Sequence, residues 1–433
     1  MSHTFSPMSL PFVPGVPFLH IDMDPDYDRK TGEIGSRPLG GVLYDCVKAK
    51  PSWLSAIEIV PLPPLVVLEA AWRELEARSE LTVFLSWAWI GTWLKLLPPT
   101  VEPRLVRATS DGRDVGLAVV CDHRVKRRLV RARGCFMNCT GDPDLDEITI
   151  EFNGFLAERG FEVAVARQGI EQIATQGGWD EIEVSACLAT NPLNLFVPEG
   201  LRRETRRQRA AHHVDLEVLR AAGGDFVDGL ERGMRQKLKR SIRDFESVGP
   251  LRLEAAASLE EALAFLEDLK VLHVKAWLSR GKTGSFANLF LNRFHDALIR
   301  SHFDQGLVQM LRLSAGDRRV GFLYNLVHRG VVYQYQSGFD LDASRGSGWR
   351  PGLVSHVRAI ELNRDAGLAR YDFLAGDQRY KKELGNAGDS MVWITLQRPR
   401  IKFAVERFVR NRVQAWRARR STDPGPDGDS ATR

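Results

Sequence analysis

The chain has 433 residues, 44% of them hydrophobic and 27% charged, with a formal net charge of +5. That length exceeds the roughly 250–300 residues at which a single hydrophobic core stops growing, so two domains are expected, and the composition excludes a fibre or a wholly disordered chain. No apolar run approaches the roughly 18–20 residues that span a bilayer, and the opening "MSHTFSPMSLPF" lacks the positive start of an export signal, so a cytoplasmic protein is expected.

In chain order, residues 1–60 are rich in Pro, Gly and Asp without periodicity and read as an irregular lead-in. Asp22, Asp24, Asp26 and Glu33 have calcium-loop spacing, but Tyr27 stands where that loop needs glycine and Pro25 interrupts it, so the reading is an acidic turn. "LEAAWRELEARS" and "FLSWAWIGTWLKLL" carry apolar residues at three- and four-residue spacing and predict helices. "PRLVRATSDGRDVGLAVVCDHRV" predicts a hairpin about Asp111-Gly112, a pair that tolerates the positive φ angles of a tight turn. "DEITIEFNGFLAERG" has mixed character, "EQIATQGG" reads as helix and "DEIEVSAC" as strand.

The Arg-rich "RRETRRQR" (202–209) reads as a basic linker that includes His212 and His213. After it come a strand "VDLEV", a helix "FVDGLERGMRQKLKRSIRDFESV", a strand "PLRLEAA", and a helical region from Leu259 to His302. Three short strands follow with turns at Ala315-Gly316 and Arg329-Gly330, then a glycine-rich loop "SRGSGWRPG", a helix "LVSHVRAIELNRDAG", and strands "ARYDFLA" and "MVWITLQ". This α/β order in both halves predicts two related domains, 61–190 and 191–400, followed by a basic amphipathic helix over 401–420 and a disordered tail over 421–433. Cys46, Cys121, Cys135, Cys139 and Cys187 are few, odd in number and scattered, which predicts reduced thiols and no zinc site.

Residues 344–352 place three glycines before a helix, where unpartnered backbone N–H groups can hold a phosphate and Arg345 and Arg350 add charge. A plain loop is the competing reading, because neither the P-loop ending nor the dinucleotide fingerprint is present. His273 and Trp277 share a helix face, as a packing pair or as part of a site. With no nucleophile elbow, metalloprotease motif or kinase signature, direct transfer without a covalent intermediate or a metal is expected. In "YDFLAGDQRYKKELG" (371–385), Asp372 offers a carboxylate, Tyr380 a proton donor and Lys381 a positive charge beside developing negative charge.

"MRQKLKRSIRDFESVG", "LHVKAWLSRG", "YQSGFD", "RPGLVSHVRAIELNRDAG" and "YDFLAGDQRYKKELG" run in one order over about 190–397. In that order they resemble the GNAT-superfamily acyltransferase domain of the cellulose-biosynthesis (CelD/BcsL) type. The first half resembles a divergent companion, giving a tandem arrangement similar to the Fem-type peptidyl transferases. The resemblance implies an α/β fold of two GNAT-like domains, each a mixed, mostly antiparallel sheet flanked by helices. It implies acyl-CoA, such as acetyl-CoA, as donor, with Gly348, Gly352 and Leu353, together with Arg345 and Arg350, at its phosphates. Asp372, Tyr380 and Lys381 would border the transfer point, with His273 as a fourth catalytic candidate. The acceptor would be a cell-envelope sugar, an exopolysaccharide precursor or a small amine.

Two other functions compete. The Arg/Lys runs at 202–209 and 232–243 would suit aminoacyl-tRNA as donor. The stripe Ile401, Val405, Phe408, Val409, Val413 and Trp416, with arginines elsewhere on the helix, would suit a non-catalytic accessory protein held peripherally at an anionic inner-membrane face, or simply a helix docked on the domain.

Overall fold

The computed structural model describes residues 54–421 except 128, 342–345 and 347. The acidic turn at 22–33, Cys46, Arg345 and the tail after 421 therefore lie outside the described residues.

The elements fall into two runs of the same order. The first is β1 (Ala56–Pro61), α1 (Leu65–Arg78), α2 (Trp87–Leu96), β2 (Arg104–Ser110), β3 (Arg113–Lys126), β4 (Arg131–Met137), the two-residue β5 (Leu156–Ala157), α3 (Glu162–Thr175), β6 (Glu181–Leu188) and β7 (Arg202–Asp215). Helices α4 (Leu216–Ala222) and α5 (Arg232–Glu246) lead into the second, with a separate helical turn at Phe226–Gly229 between them, so the single helix expected from "FVDGLERG" onward is broken at Leu230. That run is β8 (Leu251–Ala255), α6 (Leu259–Leu278), α7 (Leu289–His302), β9 (Val308–Ala315), β10 (Arg318–His328), β11 (Val331–Phe339), α8 (Pro351–Asp365), β12 (Arg370–Ala375), the short α9 (Arg379–Leu384) and β13 (Asn386–Gln397). Helix α10 (Ile401–Ser421) follows.

All these strands join one mixed, mostly antiparallel sheet in the order β1-β2-β3-β4-β6-β13-β7-β12-β11-β10-β9-β8, with β5 beside β3. Each half contributes a four-stranded antiparallel run and one parallel pair, β4 with β6 and β11 with β12. The last strand of each half then crosses to the other. β7 pairs with β12 of the second half, β13 pairs with β6 of the first, and β7 and β13 pair with each other from Asn386↔His213 to Gln397↔Arg202.

Local chemistry explains most boundaries. Asp111 (φ +50°) with Gly112 (φ +76°) and Arg329 (φ +49°) with Gly330 (φ +79°) form the tight turns their sequences predict. Helix α5 buries Met234, Leu238, Ser241 and Phe245, one face at helical spacing, so its cations occupy the solvated side. The four described cysteines are free and buried. One face of the sheet carries an aromatic core shared by both halves: Trp72, Trp87, Trp89 and Trp93 with Phe265, Phe290 and Phe294. Within it Trp89 meets Phe294 edge-on at 4.7 Å.

Two expectations are corrected. Residues 202–209 are no linker; they form the outer part of β7, a central strand. Part of its charge is met locally, Arg206 by Glu204 on the same strand and by the Thr395 hydroxyl on β13, Arg207 by the Trp393 ring at 4.7 Å, and Arg209 by Asp377, while Arg202 and Arg203 are exposed. Only the first two residues of "VDLEV" are strand, as the end of β7, because Asp215 caps the next helix by accepting the Val218 N–H at 2.8 Å.

Because each half completes its sheet with a strand from the other, neither should unfold alone. Urea unfolding of the full chain, followed by far-ultraviolet circular dichroism and by tryptophan fluorescence, is expected to trace one coincident transition, and separated midpoints would contradict this coupling.

Candidate active site

β11 and β12 pair only from Val331↔Arg370 to Tyr333↔Asp372, although β11 continues to Phe339 and β12 to Ala375. Beyond that point they diverge around a cleft of about 620 Å³. The divergence begins at Leu374, whose φ of +63° lies in the left-handed region and coincides with a register slip against β7 between Asp372 and Ala375. Asp372 holds this kink: its Oδ1 accepts the Leu374 N–H at 2.8 Å and its Oδ2 lies 2.9 Å from Arg370. Gly376, with φ +153°, turns the chain onward where a Cβ would lie 3.0 Å from Lys381 Nζ.

The kink exposes both polar groups of Ala375 to charged side chains. Lys381 is buried and donates Nζ to the Ala375 carbonyl at 3.0 Å and to that of Leu374 at 3.4 Å. The Ala375 N–H donates to Glu151 Oε2 at 2.8 Å. Glu151 belongs to the first half, on the segment between β4 and β5, flanked by Thr149 (φ +44°) and Phe152 (φ +52°). Two non-glycine residues in so costly a conformation mark a segment held in place by its surroundings. Burial pushes the Glu151 carboxyl up to about 7, Asp372 adds to the rise, and Lys381 and Arg207 oppose it. Burial lowers Lys381, countered by Glu151, Asp372 and Asp377.

The other predicted residues take different places. Tyr380 stacks flat on His356, centroids 4.7 Å apart and planes 5° from parallel, and donates its hydroxyl to Gln334 at 3.3 Å; burial raises its pKa, so it keeps its proton. His273 is buried in the cleft wall, and its Nε2 accepts the Trp277 indole N–H at 2.8 Å. The imidazole proton therefore sits on Nδ1, and burial holds the ring neutral, making it a donor and not a free base. Asp372 is only 1% exposed and tied to Arg370 and Leu374, behind the cleft and not in its wall.

Gly352 and Leu353, in the first turn of α8, border the open end of the cleft with Arg350 and Arg280. First-turn N–H groups have no helical acceptor, so this end favours an anion. Arg350 fixes the turn by donating its N–H to Ser241 Oγ at 3.1 Å. At Gly348 a side chain would strike Asp244 of α5, and at Gly352 a Cβ would lie 3.1 Å from the Phe339 ring.

The matching gap in the first half is filled. β4 and β6 pair only from Gly134↔Glu181 to Phe136↔Glu183, and Ala186 (φ +48°) takes the place of Leu374. There Asn153 stitches the edges, donating its N–H to the Ala186 carbonyl at 3.1 Å and Nδ2 to that of Met137 at 2.8 Å, while Asn138 Nδ2 donates to Asn153 Oδ1 at 2.9 Å. One short segment thus closes the first gap and carries Glu151 to the second. Sequence reading missed Glu151; the available signal was a lone acid between Ile150 and Phe152, in an apolar run.

Residues 232–382, about a third of the chain, match the acetyltransferase (GNAT) domain family, so this part has the GNAT acyltransferase fold. Similar solved structures include one titled FemX, at 10% identity and TM-score 0.48, covering 77% of this chain and 96% of that one. A tandem GNAT protein from the clavulanic acid biosynthesis pathway shows 12% identity and TM-score 0.45, covering 80% and 99%. L-PGS from Bacillus licheniformis shows 14% identity and TM-score 0.46, covering 79% and 95%. No curated protein sequence matches the chain.

Removing the Asp372 carboxylate would leave the Leu374 N–H unsatisfied and Arg370 unpaired. Asp372→Ala is therefore expected to lower stability by about 2–3 kcal/mol in urea titration, and an unchanged midpoint would remove its structural role.

Proposed function

We propose that the protein is an acyl-CoA-dependent acyltransferase that passes an acyl group directly to an amine or hydroxyl. The observation that carries this reading is the opening between β11 and β12, with the first turn of α8 at one end and Glu151, Lys381 and Ala375 at the other. In this reading the later part of the chain, about 191–400 and including β7, carries the chemistry. The earlier part, about 61–190, is a companion that contributes Glu151.

A pantetheine arm has amides that can pair with the backbone edges left free where the strands diverge. The pyrophosphate would meet the N–H groups of Gly352 and Leu353, with Arg350 adding charge and Gly348 allowing close approach. Glu151 would take the proton of the attacking amine or hydroxyl as the nucleophile bonds to the thioester carbon. The carbon–sulfur bond then breaks with the Tyr380 hydroxyl donating a hydrogen bond to the departing sulfur, and the thiolate takes up the proton held by Glu151, which restores the carboxylate. The Nδ1–H of His273 would donate to polar groups of the bound substrates, and Lys381 would steady the Glu151 carboxylate. Asp372, first read as a reacting carboxylate, would act by holding the kink.

The acceptor would be a cell-envelope sugar, an exopolysaccharide precursor or a small amine, as the cellulose-biosynthesis resemblance implies. An aminoacyl ester of tRNA would use the same transfer chemistry. Its support is reduced because Arg206 and Arg209 already meet the carboxylates of Glu204 and Asp377, and Arg207 lies over the Trp393 ring.

Calorimetry with acetyl-CoA and longer acyl-CoAs is expected to show binding; no binding to any of them would overturn this donor. In CoA-release assays Glu151→Gln should lower kcat by about 10²–10⁴-fold with little change in donor KM. Glu151 accepts a proton only when ionised, so wild-type rate should rise with pH through about 7 and then level, and the substitution should abolish that rise. Lys381→Ala removes a charge that lowers the Glu151 pKa, so the rising limb should move to higher pH; an unmoved limb would count against the pairing.

A further inference from the structure

A second basic region lies away from the cleft, on the first half. Arg124 and Lys126 on β3 stand directly opposite Arg133 and Arg131 on β4. All four are exposed. Like charges directly across an antiparallel pair destabilise the sheet, and here two successive cross-strand pairs on one face incur that cost. The four line a groove of about 650 Å³ with Arg400 and Lys402. Its one carboxylate, Asp180, is already engaged, accepting the Arg133 N–H at 2.9 Å and Lys402 Nζ at 2.6 Å, with Arg400 Nε 3.8 Å away. Among the described residues Arg124, Lys126 and Arg131 have no carboxylate partner.

Helix α10 starts at this groove. It docks through buried Phe403 and Glu406, and through Arg407 and Arg410, which lie 3.7 and 3.6 Å from Glu204. The opposite stripe is left to solvent: Ile401 is 85% exposed, Phe408 62% and Val405 53%. These three positions recur at helical spacing, and Ile401 lies between the groove residues Arg400 and Lys402.

We infer that the β3–β4 basic groove and the outward stripe of α10 form one docking surface for an anionic phospholipid membrane. The groove has a charge excess that phosphate-bearing headgroups would neutralise, and the adjoining apolar stripe would enter the headgroup boundary. Bare nucleic acid would satisfy the groove but leave the stripe in water. Trp179, the groove's aromatic residue, is buried beneath Arg398 at 4.1 Å and is not presented for base stacking. The inference is independent of the transfer chemistry.

The test is sedimentation of the full chain with vesicles of phosphatidylcholine alone or mixed with phosphatidylglycerol. Pelleting is expected only with phosphatidylglycerol present, falling steeply as salt rises. Val405→Ser with Phe408→Ser, and separately Arg131→Glu with Arg133→Glu, should each lower the partition coefficient at least about tenfold. Circular dichroism of both variants would establish that they fold. Equal pelleting with both vesicle types, no pelleting with either, or wild-type partition in either folded variant would overturn the proposal. So would tRNA binding that survives the α10 substitutions in a protein that ignores vesicles.

Discussion

The candidate site depends on one carboxylate holding one residue in an unfavourable conformation. Leu374 has a left-handed backbone that a branched side chain adopts only at a cost, and Asp372 offsets that cost with a hydrogen bond to its N–H. Without the kink β12 could continue alongside β11, and the cleft would close into ordinary sheet. With it, the Ala375 peptide has lost its strand partner on β11 and presents an acceptor to Lys381 and a donor to Glu151. The acid that maintains the opening and the acid that faces it are distinct residues from different halves of the chain.

The two halves differ in how they fill the same architecture. Each has a parallel pair that separates after three residues and a positive φ in the strand beyond, at Ala186 and Leu374. In the first half Asn138 and Asn153 satisfy the exposed edges, so its gap is internally hydrogen bonded. In the second half the gap is lined by mixed polar and aromatic groups. One short segment thereby closes the first gap and brings Glu151 to the edge of the second.

What could be read from the sequence followed the range of the interaction involved. The turns at Asp111-Gly112 and Arg329-Gly330, the helix after Pro351 and the strand "ARYDFLA" rest on neighbouring residues, and they lie where local rules place them. β7 was misread because alternation is invisible when both faces carry arginine; its partners Trp393, Thr395 and Asp377 lie far along the chain. Glu151 was missed for the same reason, since its contact with Ala375 spans 224 positions. Asp372 was noticed but assigned to the reacting groups, because whether a strand carboxylate faces a cleft or its own backbone depends on a bulge no motif announces. His273 and Trp277 were paired correctly by helical spacing, whereas the direction of their hydrogen bond, which sets the tautomer, required the geometry.

The exchange of end strands also bears on how the chain is made. The Cys187 thiol on β6 donates to the Val392 carbonyl on β13, 205 positions later. A ribosome that has finished the first half has therefore not yet made the strand that covers the β6 edge. Until β13 emerges, that edge is an unpaired row of backbone donors and acceptors, the kind of surface that recruits other nascent chains. Contacts of such sequence separation also slow folding, because loop closure must precede them. Yield in cells should then be governed less by the stability of the finished sheet than by how well its open edge is shielded while the second half is being synthesised.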